Sequence, residues 1–250
     1  MQTQKTALVT GAAAGIGKAC ALRLARDGIA IGVLDLDLEG CKAVVAEIEA
    51  AGGKAMALSA SIVDREQMRG ALASLREAFG PVTIVVNNAG ISNFIPFEEL
   101  TDKDWDVMFE VNTKGTFIVT QEVLPDMKAA GWGRVINISS SSAQTGSLEQ
   151  VHYSASKGAV ISMTRSLAQA LGPYGVTVNN IPPGAVMNTI MSEANKHRFK
   201  MSMEQLTRMI PVGRTGVPED IANTCAWLAS EESSYVSGQT IGVNGGRVVS

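Results

Sequence analysis

The chain has 250 residues with a formal net charge of −3, and 46% of its residues are hydrophobic, which is enough apolar material for one large core. Its basic residues are scattered, so neither nucleic acid nor an anionic membrane is an expected partner. Three cysteines without CxxC spacing and two histidines argue against a metal site. No long apolar run suggests a signal peptide or a membrane span, so we expect a soluble, cytoplasmic protein.

Short runs of β-branched and aliphatic residues alternate with segments of helical apolar spacing. The runs cover residues 6–10, 30–35, 55–60, 82–87, 133–139, 177–181 and 239–243. Strands that are apolar on both faces and alternate with helices indicate a parallel sheet with helices on each side. The pattern therefore predicts a doubly wound α/β fold of about seven strands, as one domain over residues 1–250. Such sheets bind ligands beyond the carboxyl ends of their strands.

A glycine-rich turn follows the first predicted strand. It contains Gly11, Gly15 and Gly17, and a helical segment comes directly after it. Glycines at such a turn let backbone N–H groups approach a pyrophosphate at the positive end of a helix. The strand before, the helix after and a second strand ending in Asp35 favour a Rossmann-like nucleotide site over a plain strand-to-helix turn.

Asp35 ends the second predicted strand, 18 residues after Gly17. A carboxylate at this place can accept hydrogen bonds from both hydroxyls of an adenosine ribose, and it would repel a 2′-phosphate. No arginine or lysine occupies residues 12–14 or follows Asp35 closely. The sequence therefore predicts NAD(H) rather than NADP(H) as the cofactor.

Tyr153 and Lys157 are four positions apart, so on a helix they share one face at a separation of about 6 Å. A neighbouring ammonium favours the phenolate, so we expect Lys157 to lower the pKa of Tyr153. Tyr153 is then a candidate proton donor and acceptor. By itself the pair is weak evidence, because the same spacing is common on solvated helix faces.

Several motifs, taken in order, resemble those of the short-chain dehydrogenase/reductase family. They are the glycine turn, Asn87-Asn88-Ala89-Gly90, the serines at 139–142, the Tyr153 and Lys157 pair, Pro183-Gly184, Gly213-Arg214 and Gly245-Gly246. The resemblance runs nearly end to end. The family places its catalytic serine thirteen residues before the tyrosine, which selects Ser140 from the cluster.

The resemblance implies a catalytic set of Asn112, Ser140, Tyr153 and Lys157. Tyr153 would transfer a proton to or from the substrate oxygen, and Ser140 would hydrogen-bond that oxygen. Lys157 would lower the pKa of Tyr153 and hold the nicotinamide ribose. Asn112 would hold a water that links the lysine to solvent.

The same resemblance implies a set of cofactor contacts, and the chain departs from the family pattern at three points. The contacts are Gly11, Gly15, Ile16, Gly17, Asp35, Ser61, Ile62, Asn88, Ala89, Gly90, Tyr153, Lys157, Pro183, Gly184, Val186 and Asn188. Ser61 stands where an aspartate is usual, and Asn244 replaces a common C-terminal aspartate. Asn188 occupies a usual threonine position with Thr189 beside it, so either residue could contact the cofactor.

The substrate pocket is expected to be apolar. A methionine-rich lid at about 186–211 suggests a bulky hydrophobic substrate, with ordinary lid packing as the alternative. The candidate pocket residues are Phe94, Ser142, Leu148, Met187 and Met191. Gln144, Leu148 and Gln150 carry no charge, so an ionic group of the substrate would find little to bind there. We expect His152 at the surface, with a contact to substrate at the pocket rim as the alternative.

The leading hypothesis is an NAD-dependent interconversion of a hydrophobic secondary alcohol, cyclic, aryl or steroid-like, and its ketone. A 3-oxoacyl-carrier-protein reductase is the alternative among enzymes, although that enzyme's carrier-docking arginines would fall at Gly131 and Tyr174. A nucleotide-binding regulatory protein without turnover is the alternative from another class. The resemblance also implies a homotetramer, assembled through the helices at 102–130 and 153–172.

Overall fold

The computed structural model describes residues 4–187, 189 and 202–249. Its strands are β1 (Thr6–Thr10), β2 (Ala30–Asp35), β3 (Ala55–Ser59), β4 (Val82–Asn87), β5 (Gly133–Ile138) and β6 (Val176–Ile181). Its helices are α1 (Gly15–Arg26), α2 (Leu38–Ala50), α3 (Arg65–Phe79), α4 (Asp102–Phe109), α5 (Thr116–Ala130), α6 (Ser142–Thr145), α7 (Val151–Leu171), α8 (Met203–Arg208) and α9 (Pro218–Ala229). A π-helical turn, Glu110–Gly115, joins α4 to α5.

The six strands form one parallel sheet in the order β3-β2-β1-β4-β5-β6. The residues of β1 alternate between two apolar clusters, because successive side chains of a strand point to opposite faces. Val9 packs into the cluster that contains α1, α2 and α9. Leu8 packs into the cluster that contains α3 and α5. The predicted doubly wound α/β fold is confirmed.

The seventh predicted strand pairs with β6 only at isolated points. Thr240 forms a parallel bridge with Asn180, and Val243 forms one with Pro183. The partner segment continues from β6 into Pro182 and Pro183, which have no backbone N–H to donate. A regular ladder therefore ends here, and the described part of the sheet has six strands rather than seven.

The strand order reverses between β1 and β4, so the helices that follow these strands lie on opposite faces and leave a crevice between them. Thr10 and Asn88 hold the two strand ends together. The Thr10 Oγ1 atom accepts hydrogen bonds from the backbone N–H groups of Asn88 and Ala89, each at 3.1 Å. The Asn88 side-chain amide donates to the backbone oxygens of Thr10 and Gly11, each at 3.0 Å. This crevice is the expected ligand site of such a sheet.

Much of the predicted lid lies outside the described residues, namely 188 and 190–201. Of the described helices, none is both long and apolar enough to span a membrane. A search of the described residues for clustered histidine, cysteine and acidic side chains finds no group that could hold a metal ion.

Candidate active site

The glycine turn after β1 brings backbone against backbone at the start of α1. A Cβ atom on Gly17 would lie 2.1 Å from the backbone oxygen of Gly11, so no other residue fits there. Gly11 itself has φ of +64°, in the left-handed region that favours glycine. Ile16 lines the cavity described below. The turn therefore leaves the N-terminus of α1 open to the crevice, where an anion is stabilised.

Asp35 lies at the end of β2 beside this turn. Its carboxylate accepts hydrogen bonds from the backbone N–H groups of Ala13, at 3.2 Å, and Asp37, at 3.3 Å. These bonds hold the carboxylate at the carboxyl edge of the sheet. Lys18 and Lys42, on the two neighbouring helices, are each paired with a glutamate of α2.

Asn112 and Lys157 converge on Gly90, in the loop after β4. A Cβ atom on Gly90 would lie 2.8 Å from Asn112 Oδ1 and 3.1 Å from Lys157 Nζ. Asn112, in the π-helical turn, accepts a hydrogen bond from the backbone N–H of Ile91 at 2.9 Å and donates to Ser156 Oγ at 3.0 Å. Its side chain therefore ties the loop after β4 to α7.

Ser140 follows β5 and belongs to a chain of hydroxyl groups. The Ser142 hydroxyl donates to Ser140 Oγ at 2.8 Å, and the backbone N–H of Ser142 lies 3.2 Å from the same atom. Because Ser140 Oγ accepts from Ser142, its own proton is available for another acceptor. The phenol of Tyr153 lies near enough for the Ser140 hydroxyl to lower its pKa.

Tyr153 and Lys157 lie on α7, and both are buried. Burial raises the pKa of Tyr153 above its usual value, and the hydrogen bond from Ser140 opposes this only in part. The expectation that Lys157 brings the Tyr153 pKa below its usual value is therefore wrong, because the loss of hydration on burial dominates. Burial lowers the pKa of Lys157 to about 8. The Lys157 ammonium donates to the backbone oxygen of Ile138 at 3.0 Å.

One cavity of about 440 Å³ joins the catalytic and nucleotide-side residues. Ser140, Tyr153 and Lys157 line it together with Ile16, Asn88, Gly90, Pro183, Gly184 and Val186. Its size suits a small ligand. The backbone oxygen of Pro183 accepts a hydrogen bond from Ser141 N at 3.0 Å, which ties the segment after β6 to the serine cluster. Residues of four of the sequence motifs thus line one cavity: Asn88 and Gly90, the serines at 139–142, the Tyr153 and Lys157 pair, and Pro183-Gly184.

The whole chain is similar to known reductases and dehydrogenases. The family model described as "Enoyl-(Acyl carrier protein) reductase" matches residues 11–247. The chain is 39% identical over 245 residues to the (2S)-((R)-hydroxy(phenyl)methyl)succinyl-CoA dehydrogenase subunit BbsD of Thauera aromatica, covering 97% of this chain and 96% of that protein. It is 38% identical over 245 residues to the 3-oxoacyl-(acyl-carrier-protein) reductase FabG of Thermotoga maritima, covering 98% of each.

A solved structure agrees with these relatives. A variant actinorhodin polyketide ketoreductase, crystallised with NADPH, superposes with a TM-score of 0.93 at 32% identity, covering 99% of this chain and 98% of that one. The chain belongs to the short-chain dehydrogenase/reductase family. It is thus an oxidoreductase of a family that uses nicotinamide cofactors.

The structure shows the contacts of Ser61, Ile62 and Thr189, three residues at or beside the expected cofactor contacts. Ser61 follows β3, and its backbone N–H donates to Gln67 Oε1 at 2.9 Å. Ile62 is buried beside Gly115, where an added Cβ would lie 2.5 Å from its Cδ1 atom. Thr189 lines the cavity and lies 3.4 Å from the position of a Cβ on Gly15, whereas Asn188 lies outside the described residues. Thr189 thus lies in the cavity beside the glycine turn.

Among the expected pocket residues, Phe94, Ser142 and Met187 line the cavity. Met191 lies outside the described residues. Leu148 is not among the residues that line this cavity, because its side chain is 91% exposed and lines an adjoining groove with Phe97. The chain turns through positive φ angles at Gly146 and Glu149, on either side of Leu148.

The expectation for His152 is also wrong, because this side chain is fully buried rather than at the surface. Its Nε2 atom lies 2.5 Å from Asn93 Oδ1, in the loop after β4. Burial lowers the pKa of His152, and the charge of Asp104 on α4 acts in the opposite direction. The contact between His152 and Asn93 therefore holds the loop after β4 against α7.

The sequence reasoning missed several lining residues. Ser92, Leu206, Arg247 and Val248 all line the cavity. Arg247 and Val248 are near the C-terminus, about 90 residues along the chain from Tyr153 and Lys157. The pair Gly245 and Gly246, directly before them, indicates a turn of the chain at this point but does not predict that the next two residues line the cavity.

Proposed function

We propose that the protein is an NAD-dependent oxidoreductase that interconverts a hydrophobic secondary alcohol, cyclic, aryl or steroid-like, and its ketone. The observation that carries the proposal is the cavity shared by Ser140, Tyr153 and Lys157 with the loops that follow β1 and β4. Phe94, Met187, Leu206 and Val248 add apolar surface to the same cavity, which suits a hydrophobic substrate.

The residues present fit a dinucleotide. The close approach of Gly17 to Gly11 leaves room for a pyrophosphate at the start of α1, and Asp35 is an acceptor for ribose hydroxyls. The candidate contacts Ser61, Ile62 and Ala89 lie in the loops that follow β3 and β4, at the same sheet edge. When bound, the nicotinamide supplies or accepts the hydride. Pairing of Lys18 and Lys42 with glutamates removes two cations that a 2′-phosphate could use, which favours NAD.

Tyr153 donates the proton in the reducing direction. Its raised pKa keeps the phenol protonated at neutral pH, so a proton is ready for the carbonyl oxygen. Ser140 donates a hydrogen bond to the same oxygen, since the Ser142 hydroxyl already donates to Ser140 Oγ. This hydrogen bond then stabilises the charge that develops on the oxygen.

Lys157 resupplies the proton that Tyr153 gives up. Its pKa of about 8 lets it release and regain a proton near neutral pH. The hydrogen bond to the backbone of Ile138 holds its ammonium group at the carboxyl end of β5. Asn112 fixes Ile91 and α7 around this ammonium, and we assign to it the link between Lys157 and solvent.

A cofactor and substrate screen tests the proposal. Purified protein is assayed for NADH or NADPH oxidation with cyclohexanone, acetophenone and a keto steroid, and for the reverse reaction with the corresponding alcohols. We expect turnover with NADH on at least one of these ketones. Absence of turnover on all of them, with NADH bound, would favour a regulatory nucleotide-binding protein.

A 3-oxoacyl-carrier-protein reductase is the second candidate, and the similarity to FabG of Thermotoga maritima favours it. The residues at the positions expected for carrier-docking arginines argue against this candidate. Gly131 has no side chain and Tyr174 stacks under the Lys128 ammonium, so neither supplies a free guanidinium. Efficient reduction of acetoacetyl-carrier protein, with weak reduction of free ketones, would support this candidate.

We also propose a homotetramer formed by the faces of α4, α5 and α7. Trp105 on α4 and Phe117 on α5 are exposed apolar side chains. Gly158 on α7 has open space in front of it, so a second helix could approach closely. Light scattering after gel filtration tests this, and a monomer mass would overturn it.

A cytoplasmic location is part of the proposal. Cys20, Cys41 and Cys225 are all buried and free of disulfides. Thiols persist in this state in reducing compartments. Fractionation of the native host cells would test the assignment.

A further inference from the structure

Arg247 is a cationic residue of the catalytic cavity that the mechanism does not use. Among the described residues that line this cavity, the only other cation is Lys157, and none is an aspartate or glutamate. Within the described part of the chain, the Arg247 guanidinium has no ion pair or hydrogen bond. No carboxylate of the cavity lining thus opposes the positive charge.

A specific turn presents Arg247, which is exposed to solvent, at the cavity. Gly245 and Gly246 have φ angles of +65° and +83°, which fold the chain back on itself. The Gly245 backbone oxygen accepts a hydrogen bond from Val212 N at 3.1 Å, which fixes the turn to the segment after α8. A Cβ on Gly245 would lie 2.5 Å from Ile210 Cγ2, so the packing is tight. The turn is therefore fixed by a backbone hydrogen bond and by close packing against Ile210.

Asn244 closes this turn from both sides of Arg247. Its Oδ1 atom accepts from Gly246 N at 3.0 Å, and its Nδ2 group donates to the backbone oxygen of Val248 at 3.0 Å. An aspartate could make the first bond but not the second, because a carboxylate has no proton to donate. Asn244 therefore fixes the backbone on both sides of Arg247.

We propose that Arg247 binds a carboxylate of the substrate, so that the substrate is a hydrophobic keto acid or the corresponding hydroxy acid. This rests on the proposed function and specifies its substrate class. A guanidinium pairs with a carboxylate through two parallel hydrogen bonds, which orients the bound molecule as well as holding it. Because Arg247 and Tyr153 line the same cavity, we assign the charged group and the reacting carbonyl to one molecule. The phosphates of a carrier thioester are the other source of negative charge.

Paired substrates test the assignment. The ketone substrates are para- and meta-acetylbenzoate and their methyl esters, which differ in charge but little in shape. The variants are Arg247→Gln, Arg247→Lys and Asn244→Asp, with Arg208→Gln as the matched control. Arg208 is an exposed arginine of α8 that is paired with Glu204, so its loss changes the net charge equally.

For wild-type protein we expect a higher kcat/KM with the acid than with the ester. In Arg247→Gln the acid-to-ester ratio falls about tenfold, which corresponds to about 1.4 kcal/mol, and the change lies mainly in KM. In Arg247→Lys the acid-to-ester ratio of kcat/KM falls less than in Arg247→Gln. In Asn244→Asp the same ratio is lower than in wild type. Arg208→Gln leaves it unchanged.

Three results would overturn the proposal. One is an equal acid-to-ester ratio in wild type and Arg247→Gln, and another is the same fall in Arg208→Gln. The third concerns acetoacetyl-coenzyme A, which is assayed as an additional substrate. If Arg247→Gln lowers kcat/KM for this thioester alone, the residue binds a phosphate of the carrier instead.

Failure of the proposed function is distinguishable from failure of this inference. If no ketone turns over, para-isopropylbenzoate is titrated into the enzyme–NADH complex and followed by the nicotinamide fluorescence. Binding by wild type that weakens about tenfold in Arg247→Gln supports the carboxylate site. Equal binding in the two proteins, or none in wild type, overturns it.

Discussion

Lys157 donates a hydrogen bond from Nζ to the backbone oxygen of Ile138, 3.0 Å away at the carboxyl end of β5. Both residues are buried, and burial lowers the pKa of Lys157 to about 8. A lysine in water keeps its proton to a pH of about 10.4. The fold thus weakens the hold of this ammonium on its proton, a property that a proton relay requires.

Ketone reduction is expected to lose rate above pH of about 8, because Lys157 releases its proton there. The measurement is kcat/KM for the ketone against pH, with NADH saturating. In Lys157→Arg, any remaining activity should persist to higher pH, since a guanidinium keeps its charge. A wild-type profile that stays flat to a pH of about 10 would contradict this role of Lys157.

Lys157→Met is expected to stabilise the fold while it removes activity. Because the Lys157 pKa is lowered on folding, the charged lysine destabilises the native state at neutral pH. Its replacement should raise the free energy of unfolding at pH 7 by about 2 kcal/mol, after the lost bond to Ile138 is counted.

The increase in the free energy of unfolding in Lys157→Met should become smaller as pH rises above about 8, where the native lysine becomes neutral. Urea unfolding of both proteins at two pH values measures it. Lys103→Met, at an exposed position of α4, is the control and should change the free energy of unfolding by less than about 0.5 kcal/mol. A destabilised Lys157→Met protein would contradict the prediction.

The choice of cofactor should depend on Asp35. We expect wild type to favour NADH over NADPH, and the double variant Asp35→Ala with Leu36→Arg to reverse this. The side chain of Leu36 is 72% exposed directly after Asp35, so an arginine there can reach a 2′-phosphate. Paired kcat/KM values for the two cofactors give the answer. A wild-type preference for NADPH of more than about tenfold, or 1.4 kcal/mol, would show that the interpretation of Asp35 is wrong.

The contact between Asn93 and His152 should matter for substrate binding. Asn93 lies between Ser92 and Phe94, which both line the cavity, and Asn93 Oδ1 lies 2.5 Å from His152 Nε2. Removing the contact in Asn93→Ala should raise KM for the ketone several-fold, while the NADH dissociation constant changes little. Asn223→Ala, which removes an exposed amide bonded to Arg23, is the control. Equal KM values in wild type and Asn93→Ala would contradict this role.

Local patterns predicted most of the fold. The residues of β1, β2 and β4 match the predicted runs, because apolar stretches bounded by turn residues define buried strands directly. The glycine turn was also predictable, since only glycine tolerates its left-handed backbone and its close contacts. The resemblance to the short-chain dehydrogenase/reductase family named the candidate catalytic residues, and one cavity brings Ser140, Tyr153 and Lys157 together.

Features that depend on tertiary packing could not be predicted. His152 is buried because α4 and the loop after β4 cover it, and neither is adjacent to it in sequence. Arg247 reaches the cavity only because the C-terminal turn packs against Ile210. The raised pKa of Tyr153 results from burial, which residue spacing does not report. In each case the deciding neighbour lies far away along the chain.

The most direct test of the central claim is the variant Tyr153→Phe, which removes only the phenolic hydroxyl. NADH oxidation is measured with a ketone that wild type reduces, and NADH binding is measured separately by fluorescence titration. We predict that turnover falls by at least about 10²-fold, the order expected for loss of a catalytic proton donor, while the NADH dissociation constant stays within about twofold. Turnover within about tenfold of wild type, in a protein that binds NADH normally, would contradict the assignment of Tyr153 as the proton donor.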